Sequence, residues 1–263
     1  QVYKDLAEQG GGESPELRLR SARAYRQVAR IELELGSYQE AEANGRKAFS
    51  AYSVLLENKP GDLELTGNVL RARVFLGEVY LRNGAIKDAI STLGESIGLL
   101  AEIRRDGSTP GPEKSGAPYF SEEVSIYLLL ADAHHEEGDR TGTVNSLEKA
   151  SLLLGQDKDS NSFDARLRGR LAEANIRLAR IKYDLGQLET AEKIVAEEND
   201  YLKPRWEASF SESEVETYAE AHFLLAEISC EKEAWGNARL NSDSAVKSFQ
   251  LLTSVLPTVS TYR

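Results

Sequence analysis

His134-His135-Glu136-Glu137 is the one run in this chain whose residue types are those of a metal site. Adjacent helical positions point about 100° apart, so these side chains do not converge as an i, i+4 pair would. The run reads as a solvated helix end. His222 lies in a seam with Tyr218 and Leu225, a core position, and Cys230, the single cysteine, has no His or basic neighbour to make it a nucleophile. Gly10-Gly11-Gly12 lacks the Lys-Ser/Thr and the preceding strand of a phosphate loop. No catalytic, cofactor or metal residue is therefore assigned, and no enzyme is expected. What remains is basic. Arg20, Arg23, Arg26 and Arg30 share one predicted helix, and rotation by 100° per residue keeps them within about 120° of one another. Guanidinium forks take carboxylates bidentately, so the chemistry is recognition of an acidic segment or a free C-terminus. The alternative is that these arginines pair with Glu34, Glu78 and their neighbours on the surface.

The elements that must position these residues are legible as a repeat. Gly36, Gly84, Gly138 and Gly186 stand 48, 54 and 48 residues apart, each followed by a pair such as Tyr38 and Ala41 or Leu188 and Ala191. A fifth copy has Trp235 and Ala238, with Glu233 where the glycine would be. A fixed period of this size with helical text on both sides indicates an array of helix pairs. In the second helix of each pair, small and apolar residues recur in steps of four and three. Examples are Ala41, Gly45, Ala48, Tyr52, Leu55 and Ala238, Ser242, Ala245, Phe249, Leu252; Glu198 interrupts the series Ala191, Val195, Leu202.

Starts and stops are also written. Ser14-Pro15-Glu16, Ser37 with Glu40, Asp62, Ser121, and Ser211 with Glu214 predict helix N-termini. All seven prolines are placed at helix starts, ends or loops. Residues 105–118, 155–163 and 199–210 are expected to be the longer connections, the first accounting for the 54-residue step. No Val/Ile/Thr-rich alternating run predicts a strand.

The net charge of −11 is concentrated in two blocks: residues 106–155 carry three basic and nine acidic side chains, and 206–263 four and nine. Such acidity repels phosphate backbones and anionic lipid, so neither nucleic acid nor a membrane surface is an expected partner. No apolar run reaches about 18 residues, and no signal peptide is visible, which leaves the cytoplasm as the default compartment. The absence of Met and the opening Val2-Tyr3-Lys4-Asp5-Leu6-Ala7 read as a segment of a longer chain, with residues 1–12 the tail of a preceding helix, 14–256 one repeat domain, and 257–263 a tail. The five repeats are placed at 14–60, 62–105, 119–155, 163–203 and 211–256.

Leu76-Gly77-Glu78-Val79-Tyr80-Leu81-Arg82-Asn83-Gly84-Ala85-Ile86-Lys87-Asp88-Ala89 resembles the tetratricopeptide (TPR) repeat. Val28-Ala29, Leu130-Ala131, Leu178-Ala179 and Leu225-Ala226 match its close-contact pair. The usual TPR repeat is about 34 residues, so this is a long-helix variant, with helices of about 20 residues or ~30 Å. The text is also similar to repeat regions attached to bacterial receptor-like serine/threonine kinases and regulators. At the position of Tyr80 the other copies carry Glu32, His134, Lys182 and Ser229, which predicts irregular packing there.

The resemblance implies an all-α fold, a right-handed α-solenoid of about five antiparallel helix pairs. It also implies a concave face made by the first helices. That face would carry Arg20, Arg23, Arg26 and Arg30, then Arg71, Val74, Glu78 and Arg82, then Leu128, Asp132 and His135. Glu173, Ile176, Arg180 and Tyr183 would follow, and then Glu220, Phe223, Glu227 and Glu231. The partner-binding residues so predicted are Arg20, Arg23, Arg26, Arg30, Arg71, Arg82, Arg180 and Tyr183. The Asn residues that carboxylate-clamp adaptors set beside their basic groups are not matched. The expected function is a non-catalytic scaffold holding a peptide or protein segment, an acidic one by charge. The alternatives are a sensor module of a larger kinase or transcription regulator, and an architectural self-assembly spacer; the oligomeric state is open.

Overall fold

The computed structural model describes residues 14–105, 119–155, 165–208 and 212–255. Ten helices follow one another: α1 (Pro15–Glu34), α2 (Tyr38–Asn58), α3 (Leu63–Arg82), α4 (Ile86–Arg105), α5 (Phe120–Glu137), α6 (Arg140–Gly155), α7 (Ala165–Asp184), α8 (Leu188–Ala208), α9 (Glu212–Glu231) and α10 (Trp235–Val255). No strand occurs among the described residues, so the expected all-α class holds. The helices are 16 to 21 residues long, as the long-helix variant requires. They fall into two compact units, Gln1–Ser146 and Leu147–Arg263, with the boundary inside α6.

In the first unit α1 packs on α2, α2 on α3, α3 on α4, and α5 on both α3 and α4. The seam of α2 is buried as the spacing predicts, at Ala41, Gly45, Ala48, Tyr52 and Leu55. Small residues are needed because the helices nearly touch: a Cβ on Gly45 would stand 2.9 Å from Leu76 Cδ2, and one on Gly77 would stand 2.7 Å from Leu93 Cγ and Cδ2. The core is a chain of small clusters. Ala22, Ala48, Tyr52, Val69 and Ala72 form one, and Leu70, Val74, Leu93, Leu100, Ile126 and Leu130 another. In the second unit α7 packs on α8, and α9 touches α7, α8 and α10. There the main cluster is Ile176, Ala179, Ala191, Val195, Ala221, Leu224 and Ile228.

The repeated glycine has one structural duty. The Gly36 amide bonds to the Leu33 carbonyl at 3.1 Å and the Ser37 amide to that of Glu32 at 2.8 Å, the paired bonds of a helix stop that needs a left-handed residue. Gly36, Gly84, Gly138 and Gly186 supply it with φ between 74° and 81°. Glu233 makes the same turn at φ 57°, with its amide on Cys230 O and the Ala234 amide on Ser229 O. A side chain in this region is strained by about 1 kcal/mol. Glu233→Gly is therefore expected to stabilise the second unit by about that amount, raising its thermal midpoint by ~2–4 °C. An unchanged or lowered midpoint would show that the turn is unstrained.

Four local expectations are corrected. Ser37 does not form a capping box with Glu40, because its amide is already spent on the preceding stop. Ser14 likewise caps nothing; its hydroxyl donates to Glu16 at 2.5 Å. Helix α5 starts at Phe120, before Ser121, behind a left-handed Tyr119. Residues 199–208 are helical and complete α8, so Pro204 lies inside a helix. Proline removes one bond there, and the turn before it is held by Leu202 packed on Ala172 and Tyr218. Asp62 caps α3 as expected, accepting from the Leu65 amide at 3.0 Å, and Asp139 caps α6 through the Gly142 amide. Ser211, Trp206, Phe210 and most of the 105–118 and 155–163 connections lie outside the described side chains.

Three of the polar residues at the Tyr80 position find hydrogen-bond partners, while the fourth, His134, keeps its buried Nδ1 without one. Glu32 accepts from Asn44 at 2.7 Å, Ser229 donates to the Leu225 carbonyl, Lys182 pairs with Glu148 at 2.9 Å, and His134 Nδ1 stands 3.3 Å from Asp139. Ser242 is exposed, contrary to its place in the seam, because no described helix follows α10 to cover it.

Candidate binding faces

Helices α1, α3 and α5 bring three of the predicted arginines into one neighbourhood. Arg23 on α1 pairs with Glu64 of α3 at 3.1 Å. Arg71 on α3 pairs with Glu122 of α5 at 2.8 Å and donates to Asn68 Oδ1 at 3.2 Å. Its guanidinium lies over Gly67, where a Cβ would stand 3.1 Å from Nη2 and 2.7 Å from the Tyr119 ring. The Tyr119 hydroxyl in turn donates to the Leu63 carbonyl. Arg71 is thus held on three sides. Arg26 of α1 is half-buried and enters no ion pair among the described residues.

Beneath this group sits Tyr52 of α2, absent from the sequence-derived set because a tyrosine in a small-residue seam looks like core. It is core, with no exposed surface, packed against Ala22 of α1 and Val69 and Ala72 of α3. Its hydroxyl has no hydrogen-bond partner. Burial raises its pKa, opposed by the charges of Arg26, Arg23 and Arg71. Asn68, Tyr119 and Glu122 were also invisible to spacing arguments, since their role depends on which helices are neighbours.

The other predicted residues do not join this group. Arg20 and Arg30 are exposed on α1, Arg20 within reach of Glu16, and Arg82 is exposed at the end of α3. Glu34 and Glu78, the surface partners the alternative required, enter no described ion pair; the acids that do pair are Glu64 and Glu122. Val74, Leu128 and Ile176 are buried.

In the second unit Arg180 of α7 pairs with Glu227 of α9 and lies 5.7 Å from the Tyr183 ring and 5.6 Å from that of Phe223, which is 50% exposed. Glu220 reaches the surface, yet its carboxyl is pushed above the usual range, first by loss of water around it and then by Glu216 and Glu173. This face is acidic with an aromatic edge.

Among the described residues no group of three or more His, Cys, Asp or Glu is placed to hold a metal, and no helix is long and apolar enough to cross a membrane. Cys230 is exposed. His222 is buried in α9, edge-on to Tyr218 at 4.5 Å, with Nδ1 2.9 Å from Asn241 Oδ1 of α10 and Nε2 without a partner. Burial lowers the His222 pKa below the ordinary value despite the bond to Asn241. As pH falls through about 6.5 the unfolded chain gains a proton that the folded one refuses, so stability is lost on acidification. The unfolding free energy of the second unit from urea titrations should drop between pH 7 and 5, by at most about 1.4 kcal/mol per pH unit from this residue. In His222→Gln that part of the slope should vanish; an unaltered slope would clear His222 of it.

No protein-family model matches the chain, and no curated protein matches it in sequence. Solved structures do. BtubC (BKLC) from P. vanneervenii is similar over 98% of this chain and 91% of its own, with a TM-score of 0.69 at 13% identity. A Podosopora anserina putative kinesin light chain with nearly identical TPR-like repeats is similar over 94% and 100%, with a TM-score of 0.59 at 16% identity. A STAND-type signal transduction ATPase from Pyrococcus horikoshii with a tetratricopeptide repeat sensor matches 92% of this chain, which spans 32% of that protein, with a TM-score of 0.62 at 13% identity. At such identities the likeness is one of fold, that of a TPR-like α-solenoid of antiparallel helix pairs.

Proposed function

We propose that this chain is a non-catalytic scaffold that binds a protein or peptide segment. In this reading the first-helix face of the first unit, Arg23, Arg26 and Arg71 with Arg20, Arg30 and Arg82 beyond them, takes an acidic segment. Arg180 and Tyr183 form a separate candidate contact within the second unit. The observation that carries it is the gathering of Arg23, Arg26 and Arg71 from two helices, with Arg26 left without an acidic partner. Guanidinium groups on a surface of this kind favour carboxylates by charge and by fork geometry.

Changing Arg23, Arg26 and Arg30 together to Glu reverses three charges, two at exposed positions and one at the half-buried Arg26, and circular dichroism should show the helices retained. Binding to an array of acidic peptides should fall at least about tenfold and lose its salt dependence. Undiminished capture by the triple variant would remove the face from consideration. A second reading, a sensor module of a larger kinase or transcription regulator, draws support from the Pyrococcus horikoshii protein, whose tetratricopeptide repeat sensor shares the fold. A kinase or DNA-binding domain in the same gene product would favour it.

A further inference from the structure

The deepest unexplained group in the first unit is the Tyr52 hydroxyl. The tyrosine has no exposed surface, and its oxygen has no hydrogen-bond partner. A phenol oxygen in a core is ordinarily satisfied, because leaving it unmade forfeits the hydration it had in the unfolded chain. Its position explains where it points. The ring rises from α2 and packs on Ala22 of α1 and on Val69 and Ala72 of α3. Ala22 precedes Arg23 and lies one turn before Arg26, and Ala72 follows Arg71. The ring thus lies against α1 and α3, the two helices that carry Arg23, Arg26 and Arg71. The charges that reach the hydroxyl are Arg26, Arg23 and Arg71, and against them Glu64.

A phenol O–H at this place is a donor lacking an acceptor, surrounded by cations. Two of the cations are already engaged, Arg23 by Glu64 and Arg71 by Glu122, while Arg26 is engaged by no described ion pair. What is missing is one oxyanion that could accept from Tyr52 and take the fork of Arg26. Arg26 is half-buried and held by no ion pair among the described residues.

We propose that Tyr52 and Arg26, flanked by Arg23 and Arg71, form an oxyanion subsite for an acidic side chain, a terminal carboxylate or a phosphorylated side chain of the bound segment. This deepens the scaffold reading and rests on it. Tyr52 is here a ligand-recognition residue placed on a second helix, whereas the rest of the face comes from first helices.

The test uses Tyr52→Phe, which keeps the ring and its packing. In the ligand-free protein the variant should melt at the same or a higher temperature than the wild type, since it removes an unpartnered buried oxygen. The probes are sodium phosphate and sodium acetate, each titrated calorimetrically against sodium chloride at equal ionic strength. The wild type should bind at least one of the two above chloride, and Tyr52→Phe and Arg26→Gln should each weaken that binding about tenfold, the worth of one charge-assisted hydrogen bond. Phosphate binding well above acetate would identify a phosphorylated side chain, and comparable binding a carboxylate. A clear fall in melting temperature for Tyr52→Phe would mean that the hydroxyl has a structural partner such as an ordered water, and would overturn the proposal. So would no oxyanion binding above chloride, or equal binding by the variant. If the ions fail while acidic peptides still depend on Arg23, Arg26 and Arg30, the subsite falls and the scaffold reading stands.

Discussion

Arg168→Met is expected to destabilise the second unit by about 3–5 kcal/mol, enough to shift its urea midpoint by more than any surface substitution would. Glu198 of α8 stands in the seam between Val195 and Leu202 and is 1% exposed. Its carboxylate is satisfied from α7 alone, by Arg168 Nη1 at 2.5 Å and Asn175 Nδ2 at 2.8 Å. Arg168 is itself fixed, with its guanidinium 3.9 Å above the Tyr201 ring. Removing the arginine leaves a buried carboxylate with one neutral donor, an uncompensated charge in a place water does not reach. The paired replacement Arg168→Met with Glu198→Leu removes both charges and fills the seam with apolar volume. It should recover most of the loss, and could exceed the wild type, because the ion pair itself earns little net stability. A loss below about 1 kcal/mol in the single variant, or no recovery in the double, would show that Glu198 is satisfied in some other way.

Gly77→Val should cost about 3 kcal/mol, the upper part of the range for overpacking a core. The first atom of any side chain at Gly77 would stand 2.7 Å from two atoms of Leu93, which is fully buried between α3, α4 and α5 and has nowhere to move. Gly98 on α4 is the control. It has the same helical backbone, but nothing lies within 4 Å of a Cβ built there. Gly98→Ala should therefore gain about 1 kcal/mol from helix propensity alone. Chemical denaturation of the two variants compares close approach with propensity. Equal effects would mean that the glycine of the Leu-Gly pair in α3 reflects no close contact.

Much of the architecture could be read without coordinates because it is local. The stop after each first helix needs one left-handed residue, and glycine provides it at the lowest cost, so the period was visible as Gly36, Gly84, Gly138 and Gly186. Burial of one face of a helix imposes steps of three and four, so the α2 seam of Ala41, Gly45, Ala48, Tyr52 and Leu55 was written in the spacing. The same logic failed where local signals compete. Ser37 looked like a capping residue, but its amide belongs to the turn before it. Pro204 looked like a terminator, and packing of the preceding turn overrides it.

The candidate site divides along the same line. That α1 carries a stripe of arginines follows from the angular spacing of Arg20, Arg23, Arg26 and Arg30, and the sequence alone determines it. Which of them matter is a question about other helices. Glu64 and Glu122 reach Arg23 and Arg71 only because α3 lies beside α1 and α5 beside α3, and Arg26 is set apart only because no carboxylate arrives at its place. Glu198 was legible as an interruption, its partners were not, and Tyr52 was legible as a core residue whose hydroxyl raised no question. Hydrogen bonds and ion pairs form over about 3 Å between residues tens of positions apart. Periodicity therefore determines the helices and their buried faces, while the tertiary packing decides which polar groups meet, and which, like the Tyr52 hydroxyl, meet none.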